Sequence, residues 1–125
     1  MKFLLDTNTL IWWLGNDATL SQTAKKIIAN PDNLIFVSAA SAWEIAIKKQ
    51  IGKLNVPDDL ETQIKQKDFQ ALPIDISHAA YIEKLPLHHK DPFDRIIIAQ
   101  AICENMKILT RDKKFDIYQV GVIES

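Results

Sequence analysis

The chain has one cysteine, three glycines and two arginines in 125 residues, and each scarcity removes a class of protein. Cys103 has no partner for an internal disulfide, and no cysteine cluster offers a zinc site, which fits a reducing, cytoplasmic setting. No Gly- or Ser-rich linker divides the chain, so residues 1–125 are expected to form one domain. With only Arg95 and Arg111, the arginine-rich surface that reads DNA bases in the major groove is missing. The longest apolar run, Leu10 to Leu14, falls far short of the roughly 18 to 20 residues that cross a bilayer. Met1-Lys2 leads directly into Phe3-Leu4-Leu5-Asp6 without a signal-like region. Charge of neither sign dominates: 15 basic against 16 acidic residues give a net charge of -1, so any polyanion must be held locally.

What is present has the balance of a globular protein, 47% hydrophobic and 25% charged. Phe3-Leu4-Leu5 reads as a buried strand running into helix-start chemistry at Asp6-Thr7-Asn8. Leu10, Trp13 and Leu14 recur at helical spacing, and Ser21 to Ala29 forms a second amphipathic segment stopped by Asn30-Pro31. Leu34 to Ser38 is a second strand, and Ser41-Ala42-Trp43-Glu44 has the spacing of a capping box that opens a helix through Lys49. Asp58 to Lys67 reads as a peripheral helix, Ala71 to Ile74 as an edge strand, and Ser77 to Leu85 as another helix. Asp91-Pro92-Phe93-Asp94 supplies an N-cap, a proline at the first helical position and an acid in the first turn of a largely buried helix. Lys107 to Thr110 and Val120 to Ile123 add strands. The alternation predicts an α/β fold: a mostly parallel central sheet covered by helices in three α/β/α layers.

In such a sheet, Asp6, Glu44, Asp94 and Asp112 all fall at carboxyl-end junctions, the edge where ligands bind. Each has an ordinary structural role available. Asp6 caps a helix, Glu44 completes a box with Ser41, Asp94 favours the helix dipole, and Asp112 caps a turn before Phe115. Together, four carboxylates at one edge repel one another unless they share a proton or hold a metal, and all-oxygen ligands favour Mg²⁺ or Mn²⁺.

The same residues carry a resemblance. Leu4-Leu5-Asp6-Thr7-Asn8, Ser38 to Ala46 around Trp43-Glu44, His89-Lys90-Asp91-Pro92-Phe93-Asp94-Arg95, and Leu109-Thr110-Arg111-Asp112 resemble, in order, the four acidic motifs of PIN-domain ribonucleases. Within that family the match is to the VapC-like toxins of bacterial toxin–antitoxin pairs, and it spans nearly the whole chain. The resemblance implies a Mg²⁺- or Mn²⁺-dependent endoribonuclease with Asp6, Glu44, Asp94 and Asp112 as its acidic set. It also implies an RNA substrate, a small antitoxin protein as partner, and a homodimer. Asp6 and Asp94 are expected to bind metal directly, with Glu44 and Asp112 acting through water, orienting the nucleophile or completing a second site. Asn8 and Thr110 match supporting polar positions, and Asp91 matches a subgroup feature that its N-cap role also explains.

Arg95, beside Asp94, is placed to pair with a carboxylate and orient the site. Lys48, Lys49, Lys90, Arg111, Lys113 and Lys114 flank the acids as phosphate contacts, with solvated surface as the alternative for the lysine pairs. His88 and His89 join this basic set or are loop residues without a role. Trp12 and Trp13 cannot both point into one interior, so one is expected at an interface. Cys103 is assigned to the core. A phospho-accepting receiver domain is a competing reading, weakened because Asp6 stands alone after the first strand; a non-catalytic binding module on the same fold is another.

Overall fold

The structure is a computed structural model, and the residues described are 1–56, 59–116, 118 and 120–125. Five parallel strands form the central sheet: β1 (Lys2–Leu5), β2 (Leu34–Ser38), β3 (Gln70–Leu72), β4 (Lys107–Thr110) and β5 (Val122–Glu124). Their spatial order is β3-β2-β1-β4-β5. The chain therefore moves outward from β1 on one side and returns to its other side at β4, making a topological switch between β1 and β4. A receiver domain has the order 2-1-3-4-5, so the strand order removes that reading.

The helices are α1 (Thr7–Leu14), α2 (Gln22–Ala29), α3 (Ala39–Gln50), α4 (Leu60–Gln66), α5 (Ile76–Tyr81) and α6 (Pro92–Cys103). Strand periodicity splits the core in two. Leu4 and Ile108 face a cluster with Ile97, Ile98 and Phe115, whereas Phe3, Leu5 and Leu109 face Leu10, Ile35, Val37 and Phe69 on the other side. Leu4, Leu5, Ile108 and Leu109 are fully buried, as expected of central parallel strands covered on both faces. At the edge, buried Gln100 ties β2 to the segment after β3: Ser38 Oγ donates to its Oε1 at 2.6 Å, and its Nε2 donates to Pro73 O at 3.2 Å.

Three sequence expectations change. Helix α3 starts a turn earlier than the proposed box, capped by Ser38, whose Oγ accepts from Ala40 N; Ser41 is inside the helix and Glu44 lies beyond its first turn. The S-x-x-E spacing selects Ser41 alone, but β2 ends at Ser38 and the helix begins directly after it. The 77–85 helix is shorter, ending as α5 at Tyr81, with a 3-10 turn over Ile82–Lys84. The last strand begins at Val122, and Gln119 beside it lies outside the described residues, as do Pro57 and Asp58 at the start of the expected 58–67 helix. Among the described residues, no helix is long and apolar enough to cross a membrane.

Candidate metal centre

The site forms at the carboxyl ends of β1 and β4, where the switch opens a crevice. Asp6 ends β1 and caps α1: Oδ1 accepts from Thr9 N at 2.8 Å, while Oδ2 accepts from Thr110 Oγ1 at 2.5 Å. The same Thr110 oxygen accepts from Asp112 N at 3.0 Å, so one hydroxyl at the end of β4 links two acids 106 positions apart. Asp112 itself caps a short turn through Lys114 N at 2.9 Å. Asp94 comes from the first turn of α6, whose start is fixed by Asp91 Oδ1 accepting from both Phe93 N and Asp94 N. Asp91 is thus the helix cap.

Electrostatics confirm the crowding. Burial raises the Asp6 carboxyl above its ordinary value despite the Thr110 and Thr9 hydrogen bonds, and the Asp112 charge adds to the rise. Burial also pushes Asp94 up to about 6, with the Asp91 and Asp6 charges contributing and the His89 hydrogen bond opposing. Asp6 feels the charge of Asp112, and Asp94 the charges of Asp91 and Asp6, which is the condition a cation relieves.

Glu44 approaches on α3, which Thr7 Oγ1 anchors through Ser41 Oγ at 3.0 Å. Ser41 and Glu44 share a helix face at i, i+3, so Glu44 sits on the side that meets α1. Its Oε2 pairs with Lys48 Nζ at 3.0 Å, while Oε1 is buried without a hydrogen-bond partner. A buried carboxylate oxygen left without a protein partner suits a hard divalent ion as ligand. His89, Asp94 and Asp112 also place one ligand atom each within 4.8 Å of one another. Asn8 is exposed on the first turn of α1.

Several residues have roles other than those expected. Arg95 is buried and pairs with no carboxylate among the described residues; its guanidinium donates to the carbonyls of Ile82, Leu85, Pro86 and His89 and to Tyr118 Oη. Helix start and loop bend back on each other, and the charge is spent on backbone. Arg111 donates to Thr19 and Ser125 and stacks on the Trp12 ring at 3.9 Å. Lys90, Lys113 and Lys114 are exposed, and Lys49 is half-buried on α3.

Trp12 and Trp13 are both half-buried against the same core cluster, each only partly covered, with Arg111 over the Trp12 ring; the exposed tryptophan is Trp43, at 61%, set edge-on to Phe93. Cys103 is exposed rather than core, near the end of α6 where the helix face turns to solvent. Desolvation and the Glu104 and Asp75 charges hold its thiol above the ordinary range, so it makes a poor nucleophile.

Two residues stand out only in the structure. His89 Nε2 lies 2.6 Å from Asp94 Oδ2, and Tyr118 Oη accepts from His89 N at 2.9 Å. His89 carries a weak signal, its proximity to Asp94 in sequence. Tyr118 carries none, since only the folded loop brings it there.

Comparison with known proteins places the fold in a family. The family model described as the PIN domain matches residues 3–120. Ribonuclease VapC22 of Mycobacterium tuberculosis is 29% identical over 114 residues, covering 89% of this chain and 87% of that protein. Among solved structures, VapBC2 from Rickettsia felis bound to a promoter DNA fragment aligns with a TM-score of 0.77 at 18% identity, over 99% of this chain and 98% of that one. VapBC-1 from nontypeable Haemophilus influenzae aligns at 0.68 and 20% identity, over 99% and 98%.

Proposed function

The chain belongs to the PIN domain family, and on that premise we propose that it is a metal-dependent endoribonuclease and the toxin of a toxin–antitoxin pair. The observation that carries the reading is the gathering of Asp6, Asp94 and Asp112 at the β1/β4 switch, each raising or feeling another's charge. The likeness to a protein named as a ribonuclease supports RNA as substrate. The solved neighbours, named as VapBC complexes, support a protein partner of the antitoxin kind.

Asp6 and Asp94 would hold a Mg²⁺ or Mn²⁺ ion, with Asp112 and Glu44 completing the set. A divalent ion bound there supplies a more acidic water and a positive charge beside the scissile phosphate. The protein's share is position and proton control. Thr110 fixes Asp6 and Asp112 in register, and Asp91 fixes Asp94 on its helix. Asp94 Oδ2 and His89 Nε2 hold a proton between them. Exposed Lys90, Lys113 and Lys114 take the flanking phosphates. Arg111, Lys48 and Lys49 all have partners within the chain and contribute less. A second copy of the chain docks on α3, where Trp43, Ile47 and Ile51 expose an apolar stripe at i, i+4, i+8.

The test is cleavage of single-stranded RNA by the purified chain in Mg²⁺ or Mn²⁺, abolished by EDTA and by Asp94→Asn. Parental cleavage by a folded Asp94→Asn protein overturns the reading. Light scattering in solution reports the dimer.

A further inference from the structure

His89 is braced more heavily than a loop residue needs to be. Its N–H donates to Tyr118 Oη at 2.9 Å and its carbonyl accepts from Arg95 Nη1 at 3.2 Å. Tyr118 Oη in turn donates to Pro86 O at 3.0 Å, and Arg95 gathers the carbonyls of Ile82, Leu85 and Pro86. The ring lies edge-on to Phe115, with centroids 6.2 Å apart. A buried guanidinium is costly to desolvate, and here it serves to fix the irregular segment between Lys84 and Pro92. The outcome is that Nε2 of His89 is held 2.6 Å from Asp94 Oδ2 and 3.9 Å from Asp112 Oδ2. Atoms sharing one six-coordinate ion at about 2.1 Å lie roughly 3 Å apart when adjacent and about 4.2 Å when opposite. Both distances are within a small adjustment of that arrangement.

We propose that His89 is a nitrogen ligand of the ion held by Asp94 and Asp112, and that it makes the site select Mn²⁺ over Mg²⁺. This rests on the metal-dependent reading above and deepens it. Mg²⁺ prefers oxygen, whereas imidazole suits borderline transition ions, so one nitrogen among carboxylates shifts the preference. Ion entry replaces the proton between Nε2 and Asp94, which leaves to solvent, and the ring keeps its other hydrogen on Nδ1. A second cluster of one histidine and two carboxylates, Asp75, His78 and Glu104, shows what this requires. There Asp75 N–H donates to His78 Nδ1 at 3.1 Å, so Nε2 must carry the hydrogen it gives Glu104 at 3.0 Å, and no lone pair is left. Among the described residues, no backbone N–H donates to Nδ1 of His89.

The experiment loads the native protein with one equivalent of Mn²⁺ and reads ¹⁴N coupling by pulsed electron paramagnetic resonance, with Mn²⁺ and Mg²⁺ affinities measured by calorimetry. Expected are the coupling of a directly bound imidazole in the native protein, its loss in His89→Gln, and a fall in Mn²⁺ affinity of about tenfold or more, with Mg²⁺ affinity nearly unchanged. Bound Mn²⁺ without ¹⁴N coupling overturns the proposal whether or not the variant folds. So does coupling that survives in His89→Gln, or an equal loss of both ions, which would make His89 only a brace for Asp94. If the native protein binds neither ion, the metal-dependent reading itself falls.

Discussion

Asp6 caps α1 through Oδ1 and receives the Thr110 hydroxyl through Oδ2, yet burial raises its carboxyl, so its charge is costly to the fold. Asparagine keeps a capping oxygen and removes that charge. Asp6→Asn is therefore expected to melt within about 1 kcal/mol of the parent while losing cleavage by at least about hundredfold; thermal melts and an RNA cleavage assay check the two halves. Asp94 gives a pH signature. Its folded value of about 6 lies above the ordinary 3.8, so the folded chain holds this proton more tightly than the unfolded chain. Its stabilising contribution is then full below about 3.8 and is lost as pH rises through about 6. Without metal, the stability of the parent relative to Asp94→Asn should fall from pH 4 to 6, and saturating Mn²⁺ or Mg²⁺ should restore it; melts across that range with EDTA or metal test this. At this scale Asp6, Asp94 and Asp112 are legible as positions because each follows a strand or lies in the first turn of a helix, whereas Glu44 lies beyond the first turn of α3. Tyr118 is not legible, because its partner His89 lies 29 positions away and only the folded loop brings them together.

Elements were most legible where capping chemistry is unambiguous. Asp91-Pro92 begins α6 at the residue the sequence indicates, because proline fixes the first helical position and only aspartate precedes it. The Ser41–Glu44 spacing indicated the wrong start for α3: Ser38 ends β2, caps the helix and binds Gln100, while Ser41 lies inside the helix and faces Thr7. The cap on α6 matters beyond stability, since it holds Asp94 N and so the carboxylate that follows. Asp91→Ala should cost about 1 kcal/mol and Asp91→Asn only a few tenths, measured by denaturant melts. Asp91→Asn also removes a charge that raises Asp94, so the Asp94 carboxyl should titrate lower in that variant, as followed by NMR.

For the molecule as a whole, alternation of strands and helices indicated a parallel sheet but not its order, since receivers alternate in the same way. The order that places β1 beside β4 depends on Leu4 and Leu5 pairing with Ile108 and Leu109, a contact across about a hundred residues that no local pattern encodes. That order also arranges charge. Lys2 and Lys107 begin β1 and β4, while Lys113 and Lys114 follow β4 at the opposite end, beside Asp112. A net charge of -1 hides this polarity, because the acids that would be neutralised by metal lie at the same end as the exposed lysines. Single-stranded RNA releases about 0.7 counterion per phosphate contacted. Replacing Lys113 and Lys114 by alanine should therefore lower the slope of log affinity against log salt by up to about 1.4, measured with RNA and the cleavage-deficient Asp94→Asn protein. The matched variant with Lys2→Ala and Lys107→Ala makes the same change in net charge at the far edge of the sheet, and its slope should stay at the parental value. Equal loss in both variants would mean that RNA responds to overall charge, and an unchanged slope in the first would remove Lys113 and Lys114 from the phosphate contacts.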